Sequence, residues 1–409
     1  MKTCIYNVRI IIGKDEQVIP NGMIVFDEQG IRYISEHILT DIEADVYIDG
    51  TGMTALPGLI DCHVHLGMDC SPDPFRQIAM DSEARTVLLG QKQGMEFIQH
   101  GITTVRNVGT RYNADISLRN AISEGIAVGP RIYAAGQPIV MTGGHGHAFG
   151  YEVDGIDEVR KTARKQLKAG ADLLKVMATG GVLTKGTEPG SPQLSEDELR
   201  CVCEEARHVQ KTTAAHAIGL QGIKNAIRAG VTTIEHGSVL DDEAIQMMKE
   251  NDTYLVPTLI AATLILNKGP EDGVSFDMMR KAEAFIEQHR SSFRKALQSG
   301  VKIAAGTDAG TPFNPPGLLV NELQLLIDEG MTPIQAIQAA TRTGAECLSI
   351  ADSTGTLEVG KWADVLLVAG NPLENILVLK NIQQVYIGGK VYVNHLHQSD
   401  FTNSLQPSL

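Results

Sequence analysis

His63 and His65 stand one residue apart in the apolar run LPGLIDCHVHLG, residues 56–67. Side chains in a strand alternate between faces, so both imidazoles point the same way with Asp61 below them. Cys62, Val64 and Leu66 point the other way. One face suits a hydrophobic layer and the other suits a cation. Two core histidines, each satisfied by one hydrogen bond, would be the plainer reading. Further ligands elsewhere in the chain decide between the two.

Such candidates recur at the ends of short segments rich in Val, Ile, Leu and Thr. TTVRNVG supplies Arg106 and Asn107, and the Gly-rich TGGHGH supplies His145 and His147. LLKVMATGG supplies Lys175, AAHAIG His216, IEHGS His236 and AAGTDAG Asp308. Singly, each has an ordinary role: a helix N-cap for Asp308, a core hydrogen bond for His216, an ion pair for Lys175. Together, His63, His65, His216, His236, Lys175 and Asp308 suit metal-assisted hydrolysis, because imidazoles with a carboxylate bind Zn²⁺ and related ions. Lys175 is the odd member. A protonated lysine beside divalent cations is repelled, so it must be neutral or chemically changed. Reaction of its amine with CO₂ gives N6-carboxylysine, whose carbamate oxygens can each take one of two divalent ions. A Schiff-base lysine is the rival reading, and it leaves the histidines without a role.

The elements that must position these residues repeat along the chain. QHGITTVRNVG, KAGADLLKVMATG, RAGVTTIEHG and QSGVKIAAGTD each begin at a helix end. Gly101, Gly170, Gly230 and Gly300 there suit the left-handed position after a helix. Each segment then enters a short strand. With RIYAAGQPIV, TTAAHAIG, YLVPTL and the opening segment, eight strands fall between residues 56 and 310, and helical patterns over 81–99, 156–168, 195–210 and 241–250 lie between them. This alternation predicts an α/β chain with a closed (β/α)₈ TIM barrel, whose chemistry sits at the C-terminal strand ends. An open doubly wound sheet is the alternative, but no Gly-x-Gly-x-x-Gly turn follows an early strand. The β-like residues 1–55 and 355–409 are expected to pair as a small β-sandwich domain, leaving 56–354 as the barrel.

A chain of 409 residues can bury one large core and a smaller module. Its net charge of −14, without a dense Lys/Arg run, disfavours nucleic acid. The opening MKTCIYNVRIIIGKDEQ does not read as a signal peptide, and no apolar run has the length of a membrane span. Six cysteines without a paired framework fit a reducing cytoplasm. The expected partners are a small-molecule substrate and further copies of the chain.

GLIDCHVHLG, LLKVMATGG, AAHAIG, TTIEHGS, AAGTDAG and the terminal GTLEVGKWADVLLVAGNP together resemble the metal-dependent amidohydrolase superfamily. Within it the chain is most similar to the imidazolonepropionase-like group that includes Xaa-Pro dipeptidases and metallo-carboxypeptidases. The resemblance implies a binuclear zinc site. His63, His65 and Asp308 would hold the buried ion, His216 and His236 the more exposed one, with carboxylated Lys175 bridging. Imidazolonepropionases proper use one metal and lack the bridging lysine, so Lys175 argues against that activity. Asn107 stands where relatives commonly have Asp. The expected chemistry is attack on an amide by a hydroxide shared between the ions, whose water is acidified from a pKa of 15.7 toward roughly 7. Asp308 would shuttle its proton. His145 would stabilise the oxyanion or hold a substrate carboxylate. Arg106 is read either as a carboxylate anchor or as a structural ion pair, and Tyr254 either as a pocket wall or as packing. A dipeptide or an N-acyl amino acid is the expected substrate. Residues 186–198 read as a lid or an exposed loop. The other readings are a cyclic-amide or amidine hydrolase, a deaminase, or a metal-free scaffold.

Overall fold

The computed structural model describes residues 1–39, 41–396 and 401–402. The strands that carry the candidate residues are β1 (Leu59–Val64), β2 (Ile102–Asn107), β3 (Arg131–Ala134), β4 (Leu173–Met177), β5 (Thr212–Ala217), β6 (Thr233–His236) and β7 (Tyr254–Val256). Parallel ladders join β1 to β2 to β3, and β4 through β5 and β6 to β7. Hydrogen bonds outside these ladders link the two groups. Asp172 N donates to Ala134 O at 2.8 Å between β3 and β4. On the other side, Leu255 N donates to Lys302 O and Cys62 N to Ala305 O, both at 2.9 Å. The order of bonded segments therefore returns to β1.

The segment expected as an eighth strand differs from the others. It forms isolated bridges, Ile303 with Leu255 and Ala309 with Val64, rather than a regular ladder. Asp308, at φ 63°, interrupts its extended backbone. At Gly306 an added Cβ would lie 2.8 Å from the His63 Cβ, so the segment crosses β1 too closely for a side chain.

Every residue of β1, β2 and β4 is buried, which is why these strands read as nearly continuous apolar runs. Helices Glu83–Gln99, Ile156–Ala169, Glu196–His208 and Asp242–Glu250 occupy the four helical patterns. Gly101, Gly170, Gly230 and Gly300 follow helix ends at φ 77°, 98°, 88° and 77°. Two further helices, Leu259–Leu266 and Phe276–Gln298, stand beside the C-terminal ends of β6 and β7. The first is apolar all round and so shows no helical period.

Both termini contribute to one sheet, in the order Lys390–Asn394, Ile382–Ile387, Val365–Ala369, Met53–Pro57, Thr3–Ile11, Val18–Asp27 and Gly30–Ser35. The sheet branches: Thr3–Ile11 pairs first with Val46–Asp49 and then with Met53–Pro57. Asn7, at φ 53°, lies at the fork, where the register toward Val18–Asp27 also shifts. Phe401–Thr402 pairs with the outer edge of Val46–Asp49. Residues 40, 397–400 and 403–409 of the terminal segments lie outside the described residues. No helix among the described residues is long and apolar enough to cross a membrane.

Candidate metal centre

The strand ends open into a cavity whose floor is His63, His65, Lys175, His216, His236 and Asp308. The most compact group is His63, His65 and Asp308, whose ligand atoms all lie within 4.8 Å of one another. Nε2 of His63 and Nε2 of His65 each stand 3.2 Å from the same atom, Asp308 Oδ1. The His236 ring lies 5.1 Å from that of His63 and 4.7 Å from that of His216.

Counting protons shows what this group wants. His65 Nδ1 lies 2.9 Å from Gly109 O, which can only accept, so Nδ1 carries the hydrogen. His63 Nδ1 lies 2.7 Å from a Glu235 carboxylate oxygen and carries its hydrogen likewise. As neutral imidazoles both rings therefore present bare Nε2 lone pairs. Burial, which pulls His65 down, favours that neutral form. Three lone-pair atoms thus converge with no proton between them. A cation resolves that repulsion, and imidazole with carboxylate is the donor set for zinc and its neighbours. His216 continues the pattern: its Nε2 is 3.1 Å from Gly180 O, which leaves Nδ1 bare. His236 Nδ1 is held at 2.7 Å by Thr258 Oγ1, which leaves Nε2.

The amidohydrolase family model matches residues 54–392. Ochratoxinase of Aspergillus niger is 32% identical over 434 residues, covering 96% of this chain and 87% of that protein. A solved Xaa-Pro dipeptidase with methionine bound in its active site is 37% identical, with a TM-score of 0.89, covering 96% of this chain and all of that one. A prolidase solved with N-methylphosphonate-L-proline is 27% identical, with a TM-score of 0.89, over 97% of this chain. The chain belongs to the amidohydrolase family. It is a hydrolase acting on carbon–nitrogen bonds.

In this amidohydrolase, Lys175 is 2% exposed and its Nζ makes no hydrogen bond or ion pair among the described residues. Burial pulls the amine down to about 8, although Glu235 and Asp308 favour its charged form. An amine so placed has a populated neutral form, the form that reacts with CO₂.

Arg106 and Tyr254 line no part of the cavity. Arg106 is 1% exposed and is spent on Glu235 at 2.8 and 2.9 Å, Thr233 at 3.0 Å and Cys62 O. It occupies the next-to-last position of β2, one residue below the rim, and so is the structural ion pair rather than a carboxylate anchor. Tyr254 opens β7, packs in a cluster with Cys62, Cys347 and Leu348, and carries Lys302 Nζ 5.1 Å from its ring centre. Asn107 has a purpose of its own. Its Oδ1 accepts from Leu66 N at 2.6 Å and its Nδ2 donates to Asp115 at 2.8 Å, and a carboxylate there would face Asp115 as a like charge. His147 Nδ1 lies 2.9 Å from Gly144 O and shapes the loop.

His145 does line the cavity, with its ring 4.3 Å from that of His216, and burial pulls it down to about 3. The loop after β4 closes one side through Val182 and Leu183. A bridge from Thr179 to Pro192 and an Arg280–Glu188 ion pair at 2.9 Å tie it down.

Three supporting residues escaped the sequence reading of roles. Asp61 accepts from Thr307 N at 3.0 Å and Thr307 Oγ1 at 2.6 Å, anchoring the segment that carries Asp308. Glu235 orients His63 and neutralises Arg106. Glu322 accepts from Leu259 N and Ile260 N at 2.9 and 2.7 Å, seating the helix that walls the cavity. The adjacent pair Glu235–His236 was the available signal: alternation puts an acid one layer beneath a ligand.

Proposed function

We propose that this amidohydrolase uses two divalent ions in a closed (β/α)₈ barrel to cleave the amide bond of a small substrate. A dipeptide or an N-acyl amino acid is the class we favour. The observation that carries the reading is the convergence of bare His63, His65 and Asp308 lone pairs beside a buried Lys175 that makes no ion pair or hydrogen bond among the described residues. His63, His65 and Asp308 would hold one ion and His216 and His236 the other, with Lys175 as its CO₂ carbamate between them. Bound there, the ions supply Lewis acidity and a water acidic enough to attack near neutral pH.

The chain's own groups supply the rest. Asp308 Oδ2, free of hydrogen bonds among the described residues, takes a proton from the attacking water and returns it to the leaving nitrogen. His145 faces the substrate oxygen. The walls beyond the floor include Ile265, Phe285 and Ile286, which exclude water and accept an apolar substituent. No arginine lines the cavity among the described residues, so a substrate carboxylate would be met by imidazole. The similarity to the ochratoxinase, the Xaa-Pro dipeptidase and the prolidase supports this class. We also propose residues 1–55 with 355–409 as a separate domain, supported by their own hydrophobic cluster around Ile5, Phe26 and Val365, and self-association of the chain.

The test is a zinc-replete screen of dipeptides and N-acyl amino acids, with Lys175→Ala as the blank and metal analysis alongside. About two ions per wild-type chain and turnover absent from the blank are expected. Turnover by Lys175→Ala at the wild-type rate, or ammonia as the released product, would overturn the reading.

A further inference from the structure

The loop after β4 does more than cover the cavity. His145 Nδ1 lies 2.9 Å from Thr184 Oγ1, and the same hydroxyl accepts from Gly146 N at 3.2 Å. Thr184 is 3% exposed, so its one hydroxyl proton needs an acceptor inside the protein. Gly146 N–H is a donor and cannot take it. His145 Nδ1 is the acceptor at hand, and accepting there leaves the ring's hydrogen on Nε2. Nε2 has no protein partner among the described residues, and the side chain lines the cavity.

The loop is built to keep that arrangement. Lys281, 1% exposed on helix Phe276–Gln298, donates from Nζ to Thr184 O at 2.9 Å and pairs with Asp277 at 2.7 Å. Gln193 Oε1 accepts from His145 N at 2.9 Å. Gly181 lies against the ring so closely that an added Cβ would stand 2.4–2.5 Å from its atoms.

We propose that Thr184, braced by Lys281, is a positioning residue that fixes His145 as a neutral imidazole with its Nε2–H aimed into the cavity, as a hydrogen-bond donor to the substrate's carbonyl oxygen. The proposal rests on the amide-hydrolase reading of the site. A donor with its hydrogen set in advance needs no reorganisation as negative charge grows on that oxygen, which is the condition under which such donors contribute most. The assignment differs from an imidazolium clamp, for which Thr184 would have to accept from Nδ1 and leave its own hydrogen without a partner.

The experiment compares wild-type, Thr184→Val and Thr184→Ser zinc-loaded enzymes. Long-range ¹H–¹⁵N spectra of histidine-labelled protein, with the His145 signals assigned by His145→Gln, read the tautomer directly. Wild type and Thr184→Ser are expected to show the Nε2–H form, and Thr184→Val to lose it. On the fastest substrate of the dipeptide and N-acyl amino acid panel, Thr184→Val should lose about 10²-fold in kcat with little change in KM, as for other single oxyanion donors. Thr184→Ser should stay within a few-fold of wild type. An Nδ1–H tautomer in wild type overturns the proposal, as does a tautomer unchanged in Thr184→Val. A loss in Thr184→Ser as large as in Thr184→Val also overturns it, because loop packing alone would then explain the effect. If no panel member is hydrolysed, the amide-hydrolase reading fails, and the tautomer measurement still decides the role of Thr184.

Discussion

Removing one charge beneath the candidate ligands should separate what stabilises this chain from what prepares the proposed metal centre. Glu235 and Arg106 are each at most 1% exposed, and Glu235 also accepts from His63 Nδ1 at 2.7 Å. Burial alone would push the Glu235 carboxyl up, but Arg106 and then His63 overcome it and hold the group ionised. Glu235→Gln keeps the volume, removes the charge and turns one acceptor into a donor facing donors. Breaking one side of a buried ion pair costs about 3–5 kcal/mol, because the remaining charge stays buried without compensation. Loss of the group that orients a ligating histidine costs about 10–100-fold in metal affinity. Urea denaturation of the metal-free variant should therefore show a loss of about 3–5 kcal/mol. Zinc titration against a competing chelator should show affinity about 10–100-fold weaker.

The double variant Arg106→Met/Glu235→Leu tells the two effects apart. It leaves no unpaired charge, and buried ion pairs replaced by apolar groups of similar size are often neutral in stability. Stability should recover to within about 1–2 kcal/mol of wild type. His63 Nδ1–H still lacks its acceptor, so zinc affinity should remain low. A double variant that regains zinc affinity would refute the role given to Glu235 in orienting His63. A Glu235→Gln variant costing less than about 1 kcal/mol would refute the buried-pair arithmetic.

Gly181→Ala places a Cβ 2.4–2.5 Å from the His145 ring, so it should displace that ring and lower kcat. In a His145→Ala background the same change should cost nothing further in a thermal melt. Glu322 is fully buried, and burial first, with Asp61 adding, pushes it from 4.5 up to about 8. Between those values the native state holds a proton that the unfolded chain releases, so stability should fall as pH rises from about 4.5 through about 8, by at most roughly 5 kcal/mol at 1.36 per unit. Glu322→Gln should flatten that slope in urea unfolding at about pH 5, 6.5 and 8; a wild-type slope of zero would refute the burial argument.

The candidate ligand positions were legible because the chain repeats one grammar: a helix, a glycine stop, a short strand and a polar residue at its end. That grammar names which residues reach the rim, and His63, His65, Lys175, His216, His236 and Asp308 all line the cavity floor. It does not distinguish the last position of a strand from the one before. Arg106 and Glu235 both occupy the next-to-last position, on β2 and β6, and so meet one layer down as a pair. A single sequence gives no sign that residues 129 positions apart are partners. Tyr254 fails for the converse reason, since it opens its strand instead of ending it. The cavity walls were illegible too: helix Leu259–Leu266 is apolar on every face and has no exposed residue, which erases the amphipathic period a reader looks for. The branched terminal sheet turns on Asn7, a single left-handed residue whose effect no periodicity announces.

Backbone strain gathers at the same rim. His236, Thr258 and Asp308 all have positive φ, at 70°, 51° and 63°, where a side chain costs of order 1–3 kcal/mol each. Each is held by bonds that the protein itself makes. Asp308 N donates to His63 O at 2.7 Å, and Asp61 grips the preceding Thr307. Gly237 N, next to His236, donates to Ala217 O at 3.1 Å, while Thr258 is bonded to His236 through its hydroxyl. These hydrogen bonds between strand ends offset the strain, so the chain's own contacts account for the backbone conformation of all three residues.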